Sequence, residues 1–114
     1  MPQELEVLWS KMLGKVEKYA RTTVMSGAAF NDEDVKSPRF ICQCKDIDRK
    51  NIIIDHRDWK QLQSAALKSR TPDGRSYKIG LFISRNSSGD IVVSIDAQDF
   101  LGLLEEIDKN HVEV

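Results

Sequence analysis

Long apolar runs are missing from this 114-residue chain: none approaches the roughly 20 residues that a membrane-crossing helix needs. No membrane span is expected. The first residues, Met1-Pro2-Gln3-Glu4, carry neither the basic start nor the apolar core of a secretory signal, which predicts a cytoplasmic setting. Cysteine and histidine are scarce, at two each. Cys42 and Cys44 stand one residue apart, a spacing that puts both on one face of a strand. It suits neither a routine disulfide nor a zinc knuckle, so they are expected to pack as buried thiols. His56 and His111 are too scattered to complete a metal cluster. The chain also lacks net positive charge, standing at −1, which by itself speaks against a nucleic-acid binder. Internal repeats and low-complexity linkers are absent, and the length suits one hydrophobic core. Residues 1–114 are therefore expected to form a single domain.

The distribution of charge reads differently from its total. Residues 36–85 carry twelve Lys and Arg against five Asp, whereas the rest of the chain carries five basic and thirteen acidic residues. A basic middle between acidic ends permits a phosphate-binding face, although such a run is also what an ordinary solvated surface looks like. Leu5, Leu8, Trp9, Met12, Leu13, Val16 and Tyr19 recur at steps of three and four, predicting a helix over 3–19. A short β-branched segment at 21–25 reads as a strand closed by Ser26-Gly27. After the acidic turn 31–34 and the break at Ser37-Pro38, the alternating run Phe40-Ile41-Cys42-Gln43-Cys44 has the character of a central strand, and 34–45 reads as a bent hairpin. Asn51–Ile54 is β-prone. Asp55 is placed to cap a helix carrying Trp59, Leu62, Ala65, Ala66 and Leu67, which ends by Thr71-Pro72-Asp73-Gly74. Strands at 77–84 and 91–95, joined through Asn86–Asp90, and a helix from about Ala97 to Ile107 capped by Asp96 complete the chain. The order is α-β-β-β-α-β-β-α, an α/β (α+β) domain with helices packed on a mixed sheet.

Alternation puts Gln43 and Lys45 on one face of the 40–45 strand and the two cysteines on the other. A buried face of a central strand normally avoids both residue types, so their pairing is a functional signal. Asp34, nine residues before Gln43, is expected alongside that face. Each residue also has a plain reading: Asp34 can cap a turn, Lys45 can be a strand-end cation, and Trp59 is expected in the core rather than as a base-stacking platform.

The ordered set Ser26-Gly27-Ala28-Ala29, Asp34-Val35, Phe40-Ile41-Cys42-Gln43-Cys44-Lys45, then Trp59, Ala65-Ala66 and Lys68 resembles phage and prophage Holliday-junction resolvase-like proteins of the PD-(D/E)XK nuclease superfamily. The likeness spans roughly residues 20–85; its motifs are short, and their joint order carries it. The resemblance implies a restriction-endonuclease-like fold and a metal-dependent, structure-selective endodeoxyribonuclease. It implies that Asp34, Gln43 and the Cys44 carbonyl hold Mg²⁺ (or Mn²⁺), and that Lys45 serves the attacking water. An acid from the first helix is also implied; Glu6 is the choice, with Glu4 and Glu17 open. Arg39, Arg49, Lys50 and Arg57 are the expected phosphate contacts, branched or duplex DNA the partner, and a homodimer the working form. Two positions depart from the family pattern: Glu33 stands where Gly usually precedes the Asp, and Gln43 stands where Glu is usual. A neutral amide can still offer a carbonyl oxygen to the metal but removes one negative charge. The alternative is a nuclease-fold module, weakened or inactive, that binds DNA or a protein partner. A small α/β interaction protein without a nucleic-acid role is the third reading.

Overall fold

A computed structural model describes residues 4–22 and 35–111. Among them the chain forms α1 (Glu4–Gly14), β1 (Arg21–Thr22), β2 (Val35–Lys36), β3 (Phe40–Asp46), α2 (His56–Leu67), β4 (Ile79–Arg85), β5 (Ile91–Ile95) and α3 (Ala97–His111). That order is the one the sequence predicts. The strands lie side by side as β1-β2-β3-β4-β5. β2 is antiparallel to both β1 and β3, β3 and β4 run parallel, and β4 and β5 are antiparallel, so the sheet is mixed with β3 at its centre. Parallel neighbours need a long crossover, and α2 supplies it.

The two faces of the sheet bury different sets of side chains. On one face Val35, Phe40, Cys42, Leu81 and Ile83 pack with Leu13; Trp9 of α1 and Leu103 of α3 lie against that cluster. On the other, Ile41 and Phe82 pack with Leu62, and Trp59 and Ile54 join them, so α2 covers that face. Trp59 thus packs on the core, and Cys42 and Cys44 are thiols on the α1 side, not joined in a disulfide. Gly80 marks where α2 comes closest to β4, since a Cβ there would stand 3.0 Å from Leu62 Cγ.

Helix ends follow local chemistry. Asp55 caps α2, its side chain accepting from the Arg57 amide at 2.8 Å, and Asp96 caps α3 by accepting from the Gln98 amide at 2.9 Å. In the β4–β5 connection Gly89 takes φ 88°, and the Asn86 side chain accepts from the amides of Ser88 and Asp90. The expected helix 3–19 stops at Gly14. Beyond it the chain turns, Tyr19 adopts φ 66°, and Glu17 is drawn inward. Asn51–Ile54 is not a strand: Ile53 is exposed, while Ile54 packs under α2 as part of the connection. Tyr77, expected inside a strand, forms only an isolated bridge with Arg70 before β4 begins at Ile79. α3 runs one turn past its expected end.

Candidate functional site

Because side chains alternate along a strand, Gln43 and Lys45 of β3 share the face of Ile41, which α2 covers. Lys45 Nζ lies 3.3 Å from Asp58 Oδ2 in the first turn of α2, with Lys45 54% and Asp58 28% exposed. Gln43 Oε1 is buried and has no hydrogen-bond partner among the described residues. On β4, Ser84 is the strand partner of Lys45 and so faces the same way; it is 0% exposed, and its Oγ is likewise unpartnered among the described residues. Two orphaned polar atoms thus lie on adjacent strands on the face that α2 covers; Gln63 Nε2 of α2, near Gly80, and Trp9 Nε1 of α1 are likewise buried without a partner among the described residues.

The site lies at the carboxyl ends of the parallel strands β3 and β4, where open α/β sheets characteristically bind ligands. A cleft of about 380 Å³ opens there, lined by Lys45, Asp46, Ile47, Asp48, Arg49, Ile53 and Asp55. Its outer wall is pinned to the β4–β5 loop: the Arg49 carbonyl accepts from the Ser87 amide at 2.9 Å, and the Lys50 carbonyl accepts from Asn86 Nδ2 at 3.0 Å. Behind it, Arg85 Nε donates to Asp46 Oδ1 at 2.6 Å and Arg85 Nη1 to Glu4 Oε1 at 3.0 Å. Hydrogen bonds to Asp46 first and Glu4 second raise the Arg85 guanidinium above its ordinary range. The same network brings the first turn of α1 to this end of β3.

The expected site residues divide accordingly. Lys45 and Arg49 line this cleft, Lys50 follows in the same connection, Arg57 lies in the first turn of α2, and Gln43 stands two residues before Lys45 on the same face of β3. The Cys44 side chain points to the opposite face. Asp34 lies outside the described residues; the residue after it, Val35, pairs with Cys42, the neighbour of Gln43. Glu6 sits on α1, the helix over the opposite face, and is half-buried there.

Arg39 is not brought into the group. It precedes β3 and stands about 20 Å from Lys45 at roughly 3.3 Å per strand residue. Its guanidinium is engaged by Glu17 at 3.0 Å and Glu106 at 3.7 Å. Glu17, one of the open choices for a helix acid, is 5% exposed and serves that same far end. It accepts from Ser37 Oγ, the Arg39 amide and Arg39 Nε.

Sequence reasoning did not single out Asp58 or Ser84. Asp58 looks like a generic first-turn helix acid, three residues after the cap. Ser84 carries a usable signal, being a polar residue at a core-facing position of an otherwise apolar strand. Among the described residues no three His, Cys, Asp or Glu side chains converge on one point. In comparisons with protein-family models, curated proteins and solved structures, the chain matches none.

Proposed function

We propose that this chain is a metal-dependent endodeoxyribonuclease of restriction-endonuclease-like fold, akin to the Holliday-junction resolvases of the PD-(D/E)XK superfamily, acting on branched DNA. The observation that carries the reading is the convergence of Gln43 and Lys45 on one face of the central strand, at the carboxyl ends of β3 and β4, with a buried, unpartnered Gln43 carbonyl. The element order and the pairing of Val35 with Cys42 agree with it, since they bring the chain that follows Asp34 beside the same strand.

An orphaned buried carbonyl is a fitting ligand for a hard cation, which prefers oxygen donors. Gln43 Oε1, the Cys44 carbonyl and Asp34 would hold Mg²⁺ or Mn²⁺. Such an ion would offset charge on the scissile phosphate and acidify a bound water. Lys45 orients that water and faces the negative charge that develops on the phosphoryl oxygens as the P–O bond to the leaving sugar oxygen breaks. Arg49, Lys50 and Arg57 contact flanking phosphates. Glu6 is the helix acid that the resemblance implies; α1, which carries it, covers the opposite face of the sheet, and the Glu4–Arg85–Asp46 network holds its first turn at this end. Arg39 drops out of the DNA contacts because Glu17 and Glu106 occupy it.

A second copy of the chain supplies the paired cut that a four-way junction requires. Phe100, Leu101, Leu104 and Ile107 form an exposed apolar stripe on α3 flanked by Asp99, Glu105, Glu106 and Asp108. On α1 the exposed Val7, Leu8 and Met12 are accompanied by Lys11, with Lys15 just past the helix end. Packing α1 of each copy on α3 of the other joins apolar to apolar and base to acid.

The neutral Gln43 favours the second reading, a nuclease-fold module that binds DNA without cutting it. Incubation of the protein with four-way-junction and linear duplex DNA and Mg²⁺ or Mn²⁺ separates the two. Junction cleavage that Lys45→Ala and Asp34→Ala abolish is expected; retention of junction DNA uncut, with binding intact, would leave only the second reading.

A further inference from the structure

We infer that Asp58 supplies, from the first turn of α2, the carboxylate that position 43 lacks, so that the cation site of this chain is shared between β3 and α2. The inference rests on the nuclease reading and deepens it. It starts from an imbalance of charge: with Gln at position 43, the two strands facing α2 offer only neutral oxygens, from Gln43 and Ser84, and one cation, Lys45. Divalent Mg²⁺ is usually held by one or two carboxylates; with Gln at position 43, Asp34 is the one carboxylate of the proposed site, and a second is wanting.

Asp58 answers that lack by position. Its Oδ2 reaches to 3.3 Å of Lys45 Nζ, across the gap between helix and strand and over the face that carries Gln43. The strand residues next to Lys45 on that face, Gln43 and Ser84, are polar. Ser84, fully buried beside Lys45, and the buried Gln43 Oε1 both lack hydrogen-bond partners among the described residues. Buried polar groups are nearly always paired, so two such atoms on adjacent strands mark a place made for a polar guest. Asp58 contributes the negative charge that makes the guest a cation.

The arrangement also assigns Asp58 two partners in turn. Without a cation it neutralises Lys45; with one bound, it exchanges Lys45 for the cation, and the lysine becomes available to phosphate and water. Cation loading and release of Lys45 are then one event.

Mn²⁺ binding to the full-length protein, followed by loss of the free-ion electron paramagnetic resonance signal, tests this without requiring catalysis. Asp58→Asn is expected to weaken Mn²⁺ binding at least tenfold. Asp58→Glu, which keeps a carboxylate, should bind within tenfold of wild type. Adding Gln43→Glu to Asp58→Asn should restore affinity to within about threefold. Circular dichroism of each variant checks that the fold is kept. Unchanged binding by folded Asp58→Asn overturns the inference while leaving the nuclease reading standing. So does weakened binding that neither Glu variant recovers, since Asp58 would then act through its shape or through Lys45. If wild type itself takes up no Mn²⁺ at millimolar concentration, the nuclease reading and the inference fall together.

Discussion

Replacing Glu17 with Ala should destabilise the protein more than any other single change to a charged residue. Glu17 is 5% exposed and sits just past α1, yet it gathers three donors from the chain entering β3: Ser37 Oγ at 3.0 Å, the Arg39 amide at 2.9 Å and Arg39 Nε at 3.0 Å. Ser37 Oγ in turn accepts from the Phe40 amide at 3.2 Å, so the carboxylate closes a network that fixes where the central strand begins. Each lost bond to a buried donor costs on the order of 1 kcal/mol. The half-exposed Arg39 guanidinium adds little beyond that, because water and Glu106 remain available to it. The total for Glu17→Ala is about 2–4 kcal/mol, a large share of the roughly 5–15 kcal/mol that holds a domain folded. Glu17→Gln keeps an acceptor for Ser37 and the Arg39 amide, so its cost is about 1 kcal/mol. In urea unfolding followed by circular dichroism, with a slope of about 1–3 kcal/mol per molar, the Ala variant should lose on the order of 1–2 M in midpoint. A loss below about 0.3 M, or equal losses for Ala and Gln, would refute the reasoning.

Other consequences can be checked separately. Gly80→Ala places a Cβ 3.0 Å from Leu62 Cγ and should cost about 1–3 kcal/mol in the same unfolding assay by forcing α2 off β4. Burial, and then the neighbouring Asp96 charge, raises the Asp99 carboxyl above its ordinary value of 3.8. The folded state therefore keeps that proton to higher pH than the unfolded chain, and its stabilising contribution, full below 3.8, is lost as pH rises through the folded value. Asp99→Asn should accordingly raise the Tm at pH 7 and leave it unchanged near pH 3 in calorimetry. In DNA-binding titrations over a range of salt, Arg49→Ala and Arg57→Ala should each reduce the log–log slope by about 1, while Arg39→Ala leaves it unchanged. Leu104→Asp, on the exposed stripe of α3, should halve the mass seen by light scattering with little change in Tm.

Much of the architecture is legible from local chemistry because local chemistry decides it. The Asp55 and Asp96 caps start α2 and α3 where the sequence says they should, and β5 occupies the predicted 91–95. The face shared by Gln43 and Lys45 follows from alternation alone, and α2 covers that face. What the pattern hides is tertiary. The apolar periodicity of 5–19 continues past Gly14, but the pull of Ser37 and Arg39 on Glu17 ends the helix early. Ile52, Ile53 and Ile54 have strand propensity but join no strand, and they serve as the connection into α2. Arg39 reads as one more basic residue of the middle segment until Glu17 and Glu106 are seen around it. Asp58 and Ser84 were hidden for a related reason: each is ordinary in its own element, and only the register of β3 with β4 and the placement of α2 bring them to Lys45.

The central claim is that the carboxyl end of β3 holds a catalytic divalent cation, and a crystal soaked in Mn²⁺ tests it most directly through anomalous scattering. The account predicts one strong peak against Gln43 Oε1 and the Cys44 carbonyl, beneath the first turn of α2, lost in the Asp34→Ala protein. A peak elsewhere, such as against Asp46 and Asp48 at the mouth of the cleft, or none at Gln43 in saturating Mn²⁺, would contradict it.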